Sequence, residues 1–245
     1  MELIPKFYKD KISLNCLAND IENAKEVYEC CEGHVVIGLL SKNYQNIEAA
    51  VTAMKEYSKE LENSISVGLG GGDPKQCYMV NEIVKELKPQ HINQVFSSVG
   101  ATRICVGNDQ TYINSLISPS GTPGLVKIST GPLSEKEKPA LVSIECAIAM
   151  IKEMGGTSIK FFPMNGLETI DEYKAVCKAA AKNDFAVEPT GGITKDNFSE
   201  ICQIAIDAGV KKIIPHVYSS IIDSDGRTNI DDVKYLYDII KGIVK

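Results

Sequence analysis

Several features that would assign a protein to a membrane, an export pathway or nucleic acid are missing from this sequence. No stretch reaches the roughly 18 consecutive apolar residues that a transmembrane helix requires. The N-terminal residues MELIPKFYKDK lack the apolar core and cleavage site of a signal peptide. The net charge is −6, and no basic stripe of the kind that binds nucleic acid appears. These absences predict a cytoplasmic protein that contacts neither a membrane nor nucleic acid.

Metal and nucleotide motifs are missing as well. None of the eight cysteines forms a CxxC pair, and no Cys/His spacing resembles a zinc site. We therefore expect buried free thiols. The glycine-rich stretch VGLGGGDP (67–74) lacks the Lys-Ser/Thr of a P-loop and a strict GxGxxG, so we interpret it as a close-approach loop. The sequence predicts no cofactor and no metal.

What the sequence does contain is a repeated order of elements. Short β-rich runs alternate with helical patterns such as 46–61 and 139–154, where apolar residues recur at three- and four-residue steps. This order predicts an α/β protein, a (β/α)8 TIM barrel in one domain spanning 1–245. A doubly wound open sheet is the alternative, but strand count and spacing favour the barrel. The eight runs lie near 13–18, 34–40, 64–69, 91–97, 125–130, 158–162, 185–189 and 211–215.

The segment at about 99–124 is the irregular part of this pattern. It is rich in Gly, Ser, Pro and Asn and is too long for a plain connector between the fourth and fifth predicted strands. Loops of that length are often functional. We therefore expect a long, lid-like loop there.

The barrel fold tells us which ends of the strands matter, because active sites lie at the carboxyl ends of barrel strands. His34 and His91 begin predicted strands, so we expect structural roles for them. His216 follows the eighth strand and is placed for function.

Lys160 interrupts the apolar sixth strand, SIKFF. Because side chains alternate along a strand, we expect Lys160 and Phe162 to point into the barrel and Ile159 and Phe161 to face the helices. Burial would lower the pKa of the lysine and leave an amine able to attack a ketone. The strand alone is equally consistent with a lysine in a structural ion pair.

Two later loops predict a phosphate site. Gly191 and Gly192 follow the seventh strand, and Ser219 and Ser220 follow the eighth. Loops at these positions commonly bind phosphate in this fold. Arg103 and Lys127 are further candidates, as cations for a substrate carboxylate.

Two motifs together resemble a known family. IKFFPMNG, followed some 27 residues later by EPTGGI, is similar to the 2-dehydro-3-deoxy-phosphogluconate (KDPG) aldolases. The whole chain resembles the branch of these aldolases linked to glucosaminate breakdown. The stretches that carry this second resemblance are VGLGGGDP, FSSVGATR, SPSGTPGLVKISTGP and PHVYSSIID.

The resemblance implies a class I aldolase that cleaves a 2-keto-3-deoxy sugar acid phosphate to pyruvate and glyceraldehyde 3-phosphate. It also admits 4-hydroxy-2-oxoglutarate as a substrate. By match, Lys160 is the Schiff-base lysine, and Thr190, Gly191 and Gly192 contact the ligand and its phosphate. A symmetric homo-oligomer is the default expectation.

One part of the family pattern is missing. The better-known members carry a base glutamate and a carboxylate-binding arginine on an early strand, where this sequence reads HVVIGLLS. Glu188, two residues before Thr190, is our candidate for the base, and its alternative role is that of a structural partner for Lys160 or Lys127. His216 and Asp73 are weaker candidates.

Three other functions are compatible with the barrel. A metal-dependent 2-keto acid aldolase would draw on His216, Asp73 and Glu188 for ligands. A phosphosugar isomerase or epimerase would not trap pyruvate. A non-catalytic phosphosugar-binding barrel would bind without turnover. The fold decides among none of these.

Overall fold

The barrel is built from parallel strands in a computed structural model that describes residues 2–245. The strands follow one another around the sheet in the order β1-β2-β3-β4-β5-β8-β9, each parallel to its neighbour. The bounds are β1 Leu14–Leu17, β2 Val35–Leu40, β3 Ile65–Gly68, β4 His91–Val95, β5 Tyr112–Pro119, β6 Leu125–Lys127, β7 Leu141–Ser143, β8 Ser158–Phe161 and β9 Ala186–Pro189.

The ring closes through residues 213–216, at the place where the eighth strand was predicted. Ile213 forms parallel bridges to Ile12 and Val187, and His216 forms parallel bridges to Asn15 and to Thr190. The segment thereby joins β1 to β9. The predicted α/β barrel class is confirmed.

The fifth barrel strand lies elsewhere than predicted. Residues 125–130 do not supply it; β5 does, and it lies inside the segment 99–124 that was expected to be a loop. That segment also contains helix α4. Strands β6 and β7 extend β5 as an antiparallel hairpin. The polar residues of YINSLISP concealed the strand, because Asn114 and Ser115 are buried rather than exposed.

The helices pack around the ring with one apolar face inward. Most begin at a side-chain cap, as with Asn46 before α2, and Thr194 with Asn197 forms a capping box before α7. Asn229 caps α8, where its side chain accepts a hydrogen bond from the backbone of Asp232. Among residues 2–245 no helix has the length and apolar character that a bilayer crossing requires. The bounds are α1 Ile21–Cys30, α2 Ile47–Glu60, α3 Cys77–Glu86, α4 Val99–Val106, α5 Ile144–Glu153, α6 Ile170–Lys182, α7 Lys195–Asp207 and α8 Ile230–Ile243.

The molecule has two different interiors. Between sheet and helices the core is apolar. Inside the barrel, where bulky aliphatic side chains usually pack in layers, polar residues contact one another instead. They are Asn15, Ser66, His91, Asn93, Asn114, Ser158, Lys160, Glu188 and His216.

The outer core should therefore carry the stability of the barrel. Phe198 on α7 is fully buried in that core, so Phe198→Ala should lower the free energy of unfolding by about 3–5 kcal/mol. Urea denaturation followed by circular dichroism measures this. Ile104→Ala is the control, because Ile104 is 82% exposed and its loss should change stability by less than about 0.5 kcal/mol. Equal effects of the two substitutions would contradict this assignment of the core.

Candidate active site

A cavity opens at the carboxyl ends of the strands, with Lys160 in its wall. Its volume is about 180 Å³. A smaller cavity adjoins it on the side of β2 and β3, and Lys160 and Tyr218 line both. The residues lining the larger cavity are Gly71, Gly72, Lys160, Phe162, Thr190, Gly191, Gly192, Ile193, His216, Tyr218 and Ser219.

Strand alternation aims Lys160 into the barrel, as predicted. Phe161 points outward and stacks on Tyr173 of α6, with ring centroids 6.2 Å apart. Lys160 points inward and is 8% exposed. Its Nζ donates a hydrogen bond of 2.8 Å to Oδ1 of Asn93 on β4. The amine thus has a neutral partner and no direct ion pair.

This environment changes the acidity of the amine. Burial lowers the pKa of Lys160 from 10.5 to about 8, and the nearby charge of Glu188 opposes the shift only in part. About a tenth of the amine is then neutral at pH 7. A neutral amine facing a cavity is a nucleophile for a carbonyl carbon.

The predicted phosphate motif forms one wall of the cavity. Gly191 and Gly192 have φ values of 99° and 69°. A Cβ on Gly192 would lie 2.3 Å from the backbone nitrogen of Gly166, so no other residue fits without displacing the chain. Backbone hydrogen bonds from Met164 to Thr190 and from Gly166 to Gly191 join this loop to the one after β8.

The two predicted serines differ in position. Ser219 lines the cavity beside this loop. Ser220 does not; its Oγ donates to the carbonyl of Ile193 at 2.7 Å. Ser220 therefore fastens the eighth-strand loop to the glycine loop rather than facing a ligand.

Glu188 lies deeper than predicted. Its side chain is fully buried, is absent from the cavity wall, and accepts hydrogen bonds from four side chains. His216 reaches the cavity in its place. The prediction that Glu188 faces the substrate therefore needs correction, because Glu188 lies within β9, two residues before Thr190 and one layer further from the carboxyl end of the strand. The donors are Ser158 Oγ at 2.5 Å, Asn114 Nδ2 at 2.6 Å, His216 Nε2 at 2.8 Å and His91 Nε2 at 3.0 Å.

The four donors also decide the charge of Glu188. Burial alone would raise its pKa, but the adjacent imidazoles and their hydrogen bonds lower it well below its ordinary value, so the carboxylate is ionised. The pKa of His216 also falls, to about 3, but here burial is the main cause and the nearby charge of Lys160 adds to it. The ring of His216 is therefore neutral.

His91, Glu188 and His216 form a group with donor atoms within 4.8 Å of one another, which is the composition of a metal site. Both imidazole–carboxylate distances are those of direct hydrogen bonds. In this structure the two imidazoles are thus hydrogen-bonded to the carboxylate that lies between them. Of the predicted metal candidates, Asp73 lies apart from this cluster and caps a short helical turn at Lys75.

The two predicted carboxylate-binding cations do not line the cavity. Arg103 lies on α4, and its guanidinium donates to the backbone carbonyls of Gly155, Asn108 and Thr111. All three guanidinium nitrogens are thus bonded to backbone carbonyls, and two of these bonds hold the chain just before β5. Lys127 lies in the β6 hairpin, outside the barrel. The assignment of Arg103 and Lys127 to the substrate is therefore corrected.

Lys42 is the cation that the structure brings to the cavity rim. Its stem crosses Gly70, where an added Cβ would lie 2.4 Å from Cδ of Lys42. Its Nζ lies 3.7 Å from the Cβ position of Gly71, which lines both cavities. The glycine stretch noted in the sequence is a close-approach loop, as expected, and the group that approaches it is a lysine side chain.

Sequence reasoning missed Asn93 and Tyr218 as site residues. Asn93 is the partner of Lys160, and Tyr218 lines both cavities. The available signal was position: Tyr218 follows the eighth strand, and Asn93 has the same inward parity on β4 as His91. His91 lies outside the cavity, as expected of a residue at the start of a strand.

Comparison with known proteins decides the family. The model of the KDGP aldolase family matches residues 8–225. The chain belongs to the KDGP aldolase family. A curated 2-dehydro-3-deoxy-phosphogluconate aldolase from Salmonella typhimurium is 45% identical over 243 residues, covering 97% of this chain and 98% of the relative. This KDGP aldolase family member is accordingly an aldolase, a carbon–carbon lyase.

Solved structures share the fold of this chain at low sequence identity. A native KDPGal structure is 14% identical with a TM-score of 0.56 and covers 95% of both chains. A mutant tryptophan synthase alpha subunit from Pyrococcus furiosus is 15% identical with a TM-score of 0.61, covering 97% of this chain and 100% of that one. These likenesses confirm the barrel.

The hydrogen bond between Lys160 and Asn93 predicts how a substitution at Asn93 changes the pKa of the amine. Asn93→Asp would put a carboxylate beside Nζ and raise the pKa of Lys160, leaving less neutral amine at pH 7. Trapping of a carbonyl ligand by borohydride should then need a higher pH than in the wild type. Asn93→Leu is the control, because it supplies no charge and should leave the pH for trapping unchanged or lower. An unshifted profile for Asn93→Asp would contradict the assigned contact.

Proposed function

We propose that this protein cleaves 2-dehydro-3-deoxy-6-phosphogluconate to pyruvate and glyceraldehyde 3-phosphate through a Schiff base on Lys160. The observation that carries the proposal is the buried amine of Lys160, whose pKa is about 8 and which faces the cavity without an ion pair. Family membership and the 45% identical curated relative support the substrate class.

The chemistry follows from a neutral amine facing a ketone. Lys160 Nζ attacks C2, and loss of water gives a protonated imine. The imine accepts the electron pair of the C3–C4 bond when the C4 hydroxyl loses its proton, which releases the aldehyde and leaves an enamine. Protonation of the enamine carbon and hydrolysis of the imine then release pyruvate and restore the amine.

The phosphate end of the substrate fits the wall formed by Thr190, Gly191, Gly192 and Ser219. The glycines leave space for close approach, and the wall leads into the N-terminus of α7, where backbone N–H groups favour an anion. Binding energy at this remote end can orient the reacting carbon atoms.

The carboxylate end then points in the opposite direction, toward the smaller cavity beside β2 and β3. We assign Lys42 to this carboxylate, the role predicted from the sequence for Arg103 and Lys127. A second cation suits this end because the nitrogen of Lys160 is bonded to C2 in the iminium and is no longer a separate ammonium group that can donate to the carboxylate. Lys42 can supply this cation, because its stem packs on Gly70 and its Nζ lies beside Gly71 at the cavity rim.

The other functions are less favoured. A metal-dependent aldolase would use His91, Glu188 and His216, which already satisfy one another by hydrogen bonds. A barrel that only binds phosphosugars would leave the buried amine of Lys160 unused. Action on 4-hydroxy-2-oxoglutarate, a cytoplasmic location and a symmetric homo-oligomer stay predictions from the sequence.

Borohydride reduction in the presence of pyruvate should attach a three-carbon adduct to Lys160, detected by peptide mass spectrometry. Lys160→Ala should lose both the adduct and lyase activity, because Lys160 is the lysine in the cavity wall and Lys42 lies at the rim, where its amine is assigned to the carboxylate. Lys127→Ala is the matched control and should retain both. Full activity in Lys160→Ala, or abolition of wild-type activity by EDTA, would contradict the Schiff-base mechanism.

Lys42→Ala should raise KM for the phosphorylated sugar acid by about tenfold or more while kcat changes little, because the charge acts on binding. Steady-state kinetics measures the two constants separately. Lys75→Ala removes a cation from the neighbouring exposed turn and serves as the control. A KM unchanged by loss of Lys42 would remove that residue from the carboxylate site.

A further inference from the structure

Tyr218 connects the cavity to the buried carboxylate through His216. Its hydroxyl lies 3.0 Å from Nδ1 of His216 and 3.0 Å from Oδ1 of Asn15. Tyr218 is half-buried and lines both cavities beside Lys160. One hydroxyl proton thus lies between two acceptors at the wall where the substrate binds.

The carboxylate of Glu188 decides which nitrogen of His216 carries a proton. An ionised carboxylate can only accept, so Nε2 of His216, 2.8 Å from Oε2, must bear the hydrogen. In the neutral ring Nδ1 then holds a lone pair directed at Tyr218. Burial and the charge of Lys160 keep this ring neutral before the reaction, so Nδ1 is free to accept a proton, and the carboxylate behind it offsets part of the cost of the imidazolium that forms transiently.

Glu188 is itself held in place from the other side. His91 contacts both of its oxygens, Asn114 donates to Oε2 and Ser158 donates to Oε1, so the carboxylate is held facing His216. Burial raises the pKa of Tyr218 well above its ordinary value, so the hydroxyl stays protonated at neutral pH. Tyr218 is therefore suited to pass a proton on, not to hold a negative charge.

We propose that Tyr218 and His216 form the proton relay of the aldol cleavage, with Glu188 as the positioning residue that sets the tautomer of His216. This inference rests on the proposed function and names the base that it leaves open. Tyr218 is the catalytic residue that contacts the substrate hydroxyl. His216 accepts the proton, and Glu188 acts through His216.

Protons and electron pairs balance over one turnover. The C4 hydroxyl gives its proton to the oxygen of Tyr218 while the proton of Tyr218 moves to Nδ1 of His216. The C3–C4 electron pair enters the iminium and forms the enamine as the C4–O bond becomes a carbonyl. After the aldehyde leaves, the same proton returns through Tyr218 to the enamine carbon and makes the methyl group of pyruvate.

Pyruvate alone tests this relay apart from the Schiff base. Once pyruvate forms the imine, the relay run backward removes a methyl proton, so the wild type should exchange the methyl protons for deuterium in D₂O. In Tyr218→Phe we expect this exchange and kcat for cleavage to fall by about a hundredfold or more. Borohydride trapping of pyruvate on Lys160 should persist in that variant.

Tyr57→Phe is the matched control, because Tyr57 is a half-buried tyrosine on α2, outside both cavities. It should leave exchange, cleavage and trapping unchanged. Normal exchange and cleavage in Tyr218→Phe would overturn the relay while leaving the Schiff base intact. Loss of trapping in the wild type would overturn the proposed function itself.

Glu188→Gln tests the positioning role. Glutamine can donate to Nε2 and so permits the other tautomer, with hydrogen on Nδ1. We expect kcat to fall by about a hundredfold or more while KM and the trapped pyruvate adduct are retained. A rise in KM together with loss of trapping and of the circular dichroism signal would indicate a purely structural role and overturn the assignment for Glu188. Tyr218→Phe, which removes one hydroxyl from the cavity wall and leaves Glu188 intact, decides the relay independently.

Discussion

The carboxylate of Glu188 lies in the middle of the barrel and accepts hydrogen bonds from four side chains carried by four different segments of the ring. A buried charge is stable only when its surroundings satisfy it. That requirement explains why the barrel interior is polar where most barrels are aliphatic. It also fixes the orientation of His216, which is the one member of the cluster that reaches the cavity.

The same cluster decides the chemistry of Lys160. The two residues are register partners on β8 and β9, yet the amine bonds to Asn93 while the carboxylate bonds to imidazoles and neutral donors. A direct ion pair would have kept the lysine charged. By separating the charges, the barrel keeps a negative group near the amine and still lets burial lower the pKa. The lysine is thereby poised for nucleophilic attack.

Much of this arrangement was predictable from sequence, because the order of the strands along the chain is enough to say which loops and inward side chains lie at the carboxyl end of the barrel. The barrel, the inward Lys160 and the glycine wall at Gly191 and Gly192 follow from strand order and alternation. The fifth strand could not be predicted in this way, because buried polar residues such as Asn114 and Ser115 interrupt its pattern of apolar residues. The depth of Glu188 and the true position of Arg103 also could not, since they depend on which side chains meet in space.

Burial without an ion pair keeps the amine of Lys160 partly neutral. The most direct measurement is an NMR titration of the protein labelled with ¹³C at the lysine ε-carbon, with the Lys160 signal assigned by its absence in Lys160→Arg. We expect this signal to titrate with a midpoint near pH 8, because burial lowers the pKa of Lys160 to about 8. A midpoint near the ordinary value of about 10.4 would contradict it.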